Sequence, residues 1–138
     1  MSEIEPRERI IVALDVPTLA EADAVVRRLA GRVGAFKVGM ELLTAEGAPR
    51  VVRALHASDA RLFFDGKFCD IPSTVAQATK AVADLGVWMF DVHASTGIDA
   101  LAAAVLARGE SLVAVVTVLS SMSDDECRRI FGASASLK

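Results

Sequence analysis

The sequence contains no tyrosine and one tryptophan among 138 residues, and aromatic side chains make up only 5% of it. Single-stranded nucleic acid would therefore find no stacking platform. Basic residues are not in excess either: 15 Lys and Arg stand against 18 Asp and Glu, for a net charge of −3. A nucleic-acid surface needs the opposite balance. Cysteine is scarce, and no metal-ligand spacing links Cys69 to Cys127. Two thiols in a chain of this size point to a reducing compartment. No apolar run approaches the length needed to cross a bilayer. The charged stretch Met1 to Arg9 lacks the apolar segment of a signal peptide. The expected location is the cytoplasm, with neither nucleic acid nor membrane as a partner.

What is present is an ordinary globular composition, 53% hydrophobic and 24% charged, in a chain long enough for one domain with its own core, read here as residues 1–138. Five short apolar runs, at 10–14, 35–38, 62–64, 87–90 and 112–118, are rich in Val, Ile and Phe. They lack the alternation of a half-exposed sheet, which predicts parallel strands buried on both faces. Helical segments fall between them at 19–29, 48–57, 73–85 and 98–107. Thr18 with Glu21, Thr96 with Asp99 and Ser123 with Glu126 have capping-box spacing. Pro72 sits at a first helical position, and Gly86 and Gly109 sit at helix ends. The strands recur about every 25 residues, one strand–helix unit per interval. A doubly wound five-strand sheet would be nearly complete at this length. An eight-unit barrel needs about 200 residues or more. Size alone favours the doubly wound sheet.

The polar residues that interrupt these runs collect at strand ends. Asp15 follows the first, Lys37 lies within the second, Asp65 and Lys67 follow the third, Asp91 and His93 the fourth, and Thr117, Ser120 and Ser121 the fifth. In either architecture those ends form the functional face. If the chain stays extended, Asp65 and Lys67 point to one side, Lys37 reaches them from the neighbouring strand, and the turn at Pro72 returns Asp70. Two ammonium groups and two carboxylates would then alternate. An interlocked set of this kind keeps each member ionised. A lysine held there can deliver a proton to a developing carbanion, and the fixed charges can stabilise an anionic transition state.

Each residue also has a plainer reading. Asp15 alone fits a cap or turn. Asp65 and Lys67 fit a structural ion pair as well as a catalytic one. His93 fits a packed, hydrogen-bonded residue, because no second His or Cys stands at metal spacing. Met40, Met89 and Met122 read as core filler, and Trp88 as a core residue. Lys37 is the hardest to dismiss, since an amine inside an apolar strand demands a partner.

Taken together these residues resemble the orotidine 5′-phosphate decarboxylase family. The resemblance rests on Asp65-x-Lys67-x-x-Asp70-Ile71-Pro72 followed by Thr74. Four supporting segments fall in register: Leu14-Asp15-Val16-Pro17, Phe36-Lys37-Val38-Gly39, Val92-His93-Ala94-Ser95 and Val116-Thr117-Val118-Leu119-Ser120-Ser121-Met122. It covers nearly all of Arg9 to Met122 and implies a (β/α)₈ TIM-barrel fold, incomplete here, with about five β/α units present. That overturns the preference based on size. It further implies decarboxylation of orotidine 5′-monophosphate to uridine 5′-monophosphate in pyrimidine biosynthesis, with no metal or organic cofactor. By the same resemblance Lys67 is the proton donor, Asp65 faces the leaving carboxylate, and Lys37 and Asp70 complete the network. Asp15 and Lys37 match ribose contacts, and Thr74 a ribose or phosphate contact. Ile71 belongs to the substrate-binding motif, and Ser120 stands where the family addresses the pyrimidine edge. Family members are homodimers in which the Asp70–Thr74 stretch enters the neighbouring active site. Related sugar-phosphate decarboxylases share Asp-x-Lys-x-x-Asp, but Lys37 and Ile71-Pro72 favour the nucleotide enzyme.

Some positions depart from the family pattern. Gly66, Ser73 and Thr96 stand where a larger residue, Asn and Gly are usual. The family's phosphate-gripping loop with its Arg has no counterpart by Lys138. The chain alone is therefore expected to be weakly active or inactive, since remote phosphate contacts supply much of the binding energy used for rate. An open sheet edge is also expected to favour association. A rival reading, a phosphoacceptor signalling domain centred on Asp65, needs an acidic pair after the first strand and a Lys after the fifth, and the sequence has neither.

Overall fold

The computed structural model describes residues 5–58 and 60–132; the two ends of the span 1–138 lie outside it. Five strands, β1 (Ile11–Ala13), β2 (Ala35–Val38), β3 (Leu62–Phe68), β4 (Met89–His93) and β5 (Leu112–Val116), form one sheet in the order β1-β2-β3-β4-β5. Every neighbouring pair is parallel. Among the described residues six α-helices accompany them: α1 (Leu19–Leu29), α2 (Met40–Glu46), α3 (Ala48–His56), α4 (Pro72–Asp84), α5 (Ile98–Ala107) and α6 (Asp124–Phe131).

The strand order decides the architecture. A doubly wound sheet reverses direction at a switch point, so its sequence order and spatial order differ. Here the two coincide, and each helix returns the chain to the next strand in the same sense, as in a (β/α)₈ barrel. The doubly wound alternative, favoured on length, is wrong for this reason.

Strand alternation sorts the residues into two faces. Phe36, Val38, Leu62, Phe64, Phe90 and Val92 pack into one cluster with Val26, Val51, Leu55, Val75, Val82, Ala100 and Ala104 from the helices. Phe64, Phe68 and Phe90 continue it as tilted rings with centroids 5.9 and 6.0 Å apart. The other face carries Lys37, Asp65 and Asp91. The apolar face therefore fixes the register in which the charged face is presented, since a slip of one residue would exchange the two.

Several sequence expectations need correction. β1 and β5 are not buried on both faces: Ile11, Leu112 and Val115 are 42%, 46% and 48% exposed, because these two strands lie at the sheet edges. β3 runs four residues beyond the expected 62–64, through the charged motif. The short helix α2 was not expected. Thr96 does not cap α5, whose N-cap is Gly97 at φ 92°; its hydroxyl is engaged elsewhere. Met40 is 61% exposed rather than core filler. Thr18 and Ser123 do cap α1 and α6, the latter with a complete capping box. No helix among the described residues is long and apolar enough to cross a membrane.

Candidate active site

Asp65 is the centre of the charged face, and its side chain is only 11% exposed. Its Oδ2 accepts from Lys37 Nζ at 3.0 Å, and its Oδ1 accepts from Lys67 Nζ. Lys37 also reaches Asp15 Oδ1 at 3.2 Å. On the far side, Asp91 Oδ2 lies 3.8 Å from Lys67 Nζ. The order Asp15–Lys37–Asp65–Lys67–Asp91 thus alternates in charge across four neighbouring strands. A cleft of about 230 Å³ opens over it, lined in part by Leu14, Asp15, Lys37, Gly39, Asp65 and Lys67. A larger cleft, of about 410 Å³, lies at the opposite strand ends beside Arg7, Gly34 and Arg61, away from this cluster.

Local backbone geometry places Lys67. The β3–β4 register shifts between Phe64 and Phe68, so β3 bulges where it carries the motif. Lys67 has φ +48°, and among the described residues it is the one non-glycine residue with positive φ. Such a conformation is unfavourable for a residue with a Cβ. The Lys67 N–H donates to Asp91 Oδ1 at 2.8 Å, which satisfies it within the bulge. The simple expectation of an extended segment is thus replaced by a kinked one, with the same result that Lys67 and Asp65 meet.

Gly66 belongs to the same kink. A Cβ there would lie 2.6 Å from Cε1 of Phe64 and 3.2 Å from the Phe68 ring. Gly66→Ala is expected to cost about 1–3 kcal/mol through overpacking. Urea denaturation of G66A, F64L and the double variant should reveal coupling of about 1 kcal/mol; strictly additive effects would show that the two positions do not clash.

Charge and burial set the protonation. Burial works to lower the Lys37 pKa, but hydrogen bonds to Asp65 and Asp15 outweigh it and raise the amine above its usual 10.5. Burial likewise opposes ionisation of Asp65, yet hydrogen bonds from Lys67 and Lys37 dominate and hold it below 3.8. Asp91 moves the other way: burial, with the adjacent Asp65, pushes it above 3.8 despite the Lys67 N–H. Two neighbouring carboxylates are thus shifted in opposite directions, Asp65 down and Asp91 up.

The remaining expected residues stand apart. Asp70 does not join the array within one chain: its carboxylate accepts from the Ile71 N–H at 2.7 Å. Its backbone is clasped by Thr96, whose Oγ1 donates to Asp70 O at 2.6 Å and accepts from Asp70 N at 3.1 Å. Ile71 is 64% exposed, and Thr74 is exposed on the first turn of α4. Ser120 lies exposed in the turn after β5. The third carboxylate of the array, Asp91, was missed as a member. Its signal was present in the sequence, an acid inside the apolar run from Val87 to Val92. Among the described residues no group of His, Cys, Asp and Glu is arranged to hold a metal ion.

A sequentially ordered parallel sheet with an interlocked amine–carboxylate cluster at the C-terminal ends of its strands defines a β/α-barrel protein with a candidate site on that face. The chain belongs to the orotidine 5′-phosphate decarboxylase / HUMPS family, whose model matches residues 8–135. It is 49% identical over 117 residues to orotidine 5′-phosphate decarboxylase of Halorhodospira halophila, covering 82% of this chain and 49% of that protein. It is 44% identical over 137 residues to the Moorella thermoacetica enzyme of the same name, covering 93% and 54%. The crystal structure of orotidine 5′-phosphate decarboxylase from Lactobacillus acidophilus superposes with a TM-score of 0.76 at 34% identity, over 86% of this chain and 57% of that one. An uncharacterized conserved protein from Geobacillus kaustophilus superposes with a TM-score of 0.83 at 34% identity, over 92% and 62%. The chain spans about half the length of the curated relatives it matches.

Proposed function

We propose that this chain carries the decarboxylating centre for orotidine 5′-monophosphate, releasing carbon dioxide and forming uridine 5′-monophosphate. The observation that supports it is the sharing of Asp65 between the amines of Lys37 and Lys67 at the edge of an open cleft. A substrate carboxylate placed over Asp65 meets a fixed negative charge. The bond between the ring and that carboxylate breaks, carbon dioxide leaves, and the electron pair stays on the ring carbon. The Lys67 ammonium then gives its proton to that carbon and is left as a neutral amine, to be reprotonated from water. Preorganised ammonium groups stabilise the developing carbanion at little reorganisation cost. No metal or organic cofactor enters these steps.

Lys37 and Asp15 would hold the ribose hydroxyls, and Ser120 the pyrimidine edge. Asp70, Ile71 and Thr74 lie exposed at the rim, where a second copy could receive them. We read the active form as a homodimer in the cytoplasm, each chain contributing one domain over 1–138. A second reading, a half-barrel that keeps the centre without turnover, is consistent with a chain that spans about half of the relatives.

Calorimetry with 6-hydroxyuridine 5′-monophosphate, a mimic of the anionic intermediate, tests the centre, and a decarboxylation assay tests turnover. Binding stronger than that of uridine 5′-monophosphate is expected. A folded chain that binds neither would overturn the reading, whereas binding without turnover would select the half-barrel.

A further inference from the structure

We propose that Asp91 is the positioning residue for Lys67: it holds the lysine's backbone in the kinked conformation that aims the amine at Asp65. The inference deepens the reading of Lys67 as proton donor and rests on it. Asp91 is 2% exposed, and its two oxygens divide their work. Oδ1 accepts the Lys67 N–H at 2.8 Å, and Oδ2 lies 3.8 Å from Lys67 Nζ.

The physical need is local. The bulge removes Lys67 from the regular ladder: Phe64 pairs with Phe90 and Phe68 with Val92, with the register shifted between them. An N–H left unpaired in this part-buried bulge would carry a desolvation penalty. At φ +48° the lysine also leaves the broad basins open to side-chain-bearing residues. Strain of that kind persists only where the surroundings over-determine it. Asp91 is the partner that does so, and it is anchored in turn by the β4–β5 pairing of Asp91 with Ala114.

The acceptor oxygen, rather than the negative charge, carries the role. Lys67 already has Asp65 as its close counter-ion, and Asp91 at 3.8 Å is the more distant of the two. An amide keeps an acceptor at the same place, and an alanine does not.

The experiment compares D91A, D91N and V52A in the full chain. Val52 is fully buried in the apolar core on α3 and makes none of the cluster's polar contacts, so it controls for loss of stability alone. Two properties are read: hydrogen exchange of the Lys67 amide by NMR, and calorimetric affinity for 6-hydroxyuridine 5′-monophosphate. D91A is expected to speed Lys67 exchange, relative to the other β3 amides, by at least about tenfold and to weaken the ligand by a similar factor. D91N should restore both to within about threefold of the parent, and V52A should change neither selectively. Protection of the Lys67 amide in D91A equal to the parent would overturn the proposal, as would D91N behaving like D91A. Should the parent chain bind no ligand, the functional reading fails, and the amide exchange still decides the role of Asp91.

Discussion

Replacing Lys67 by alanine is expected to weaken binding of 6-hydroxyuridine 5′-monophosphate by about 10- to 150-fold, the loss of one charge-assisted hydrogen bond worth about 1.5–3 kcal/mol. Wherever the centre turns over, kcat should fall further, by about 10²–10⁴, the usual contribution of a positioned proton donor. The two effects have different causes. On the proposed mechanism, binding of the anion needs only the positive charge, whereas turnover needs a proton on an amine within reach of the ring carbon. Lys67→Arg separates them, because its guanidinium keeps the charge and does not release a proton. It should bind the anion better than K67A and remain as slow. Circular dichroism checks that each variant folds. An alanine variant with unimpaired affinity would remove Lys67 from the centre.

The second large effect is on stability. Asp65→Ala leaves Lys37 and Lys67 facing each other without the carboxylate that both contact. Removing one partner of a buried charge network costs about 3–5 kcal/mol. The lower end is expected here, since the two lysine side chains are 23% and 31% exposed and keep part of their hydration. The pH dependence has a definite sign. Asp65 titrates below its usual 3.8 in the folded chain, so its contribution is complete above 3.8 and fades as pH falls through the folded value. Lys37 titrates above 10.5, so its contribution is complete below 10.5 and fades as pH rises through the folded value. Between those limits the difference between D65A and the parent in urea unfolding should be flat, and it should shrink on the acid side. Equal unfolding midpoints at pH 7 would show that the cluster behaves like an exposed ion pair, with no net contribution.

Much of the centre was legible in the sequence because its chemistry is costly to place by accident. Lys37 inside an apolar strand had to have a partner, and Asp65 with Lys67 two residues on supplied one. Asp91 was legible in the same terms, as an acid within an apolar run, but it was read only as a strand end. Asp70 shows the reverse: its motif spacing suggested membership, and the fold turns it outward to Ile71 and Thr96. That reading relied on the turn at Pro72 to return Asp70, whereas within one chain the Ile71 N–H and the Thr96 hydroxyl hold it.

By itself the sequence determined the strand–helix alternation, the caps at Thr18 and Ser123, and the kinds of group that meet at the strand ends. These depend on neighbours a few residues apart. Only the tertiary structure decided the order of the strands, the exposure of β1 and β5, and which carboxylate stands behind Lys67. Those depend on contacts between residues some 24 positions apart, such as the one from Asp91 to the Lys67 N–H. Local hydrophobic pattern is silent on them, because it states which face is buried and not what it is buried against.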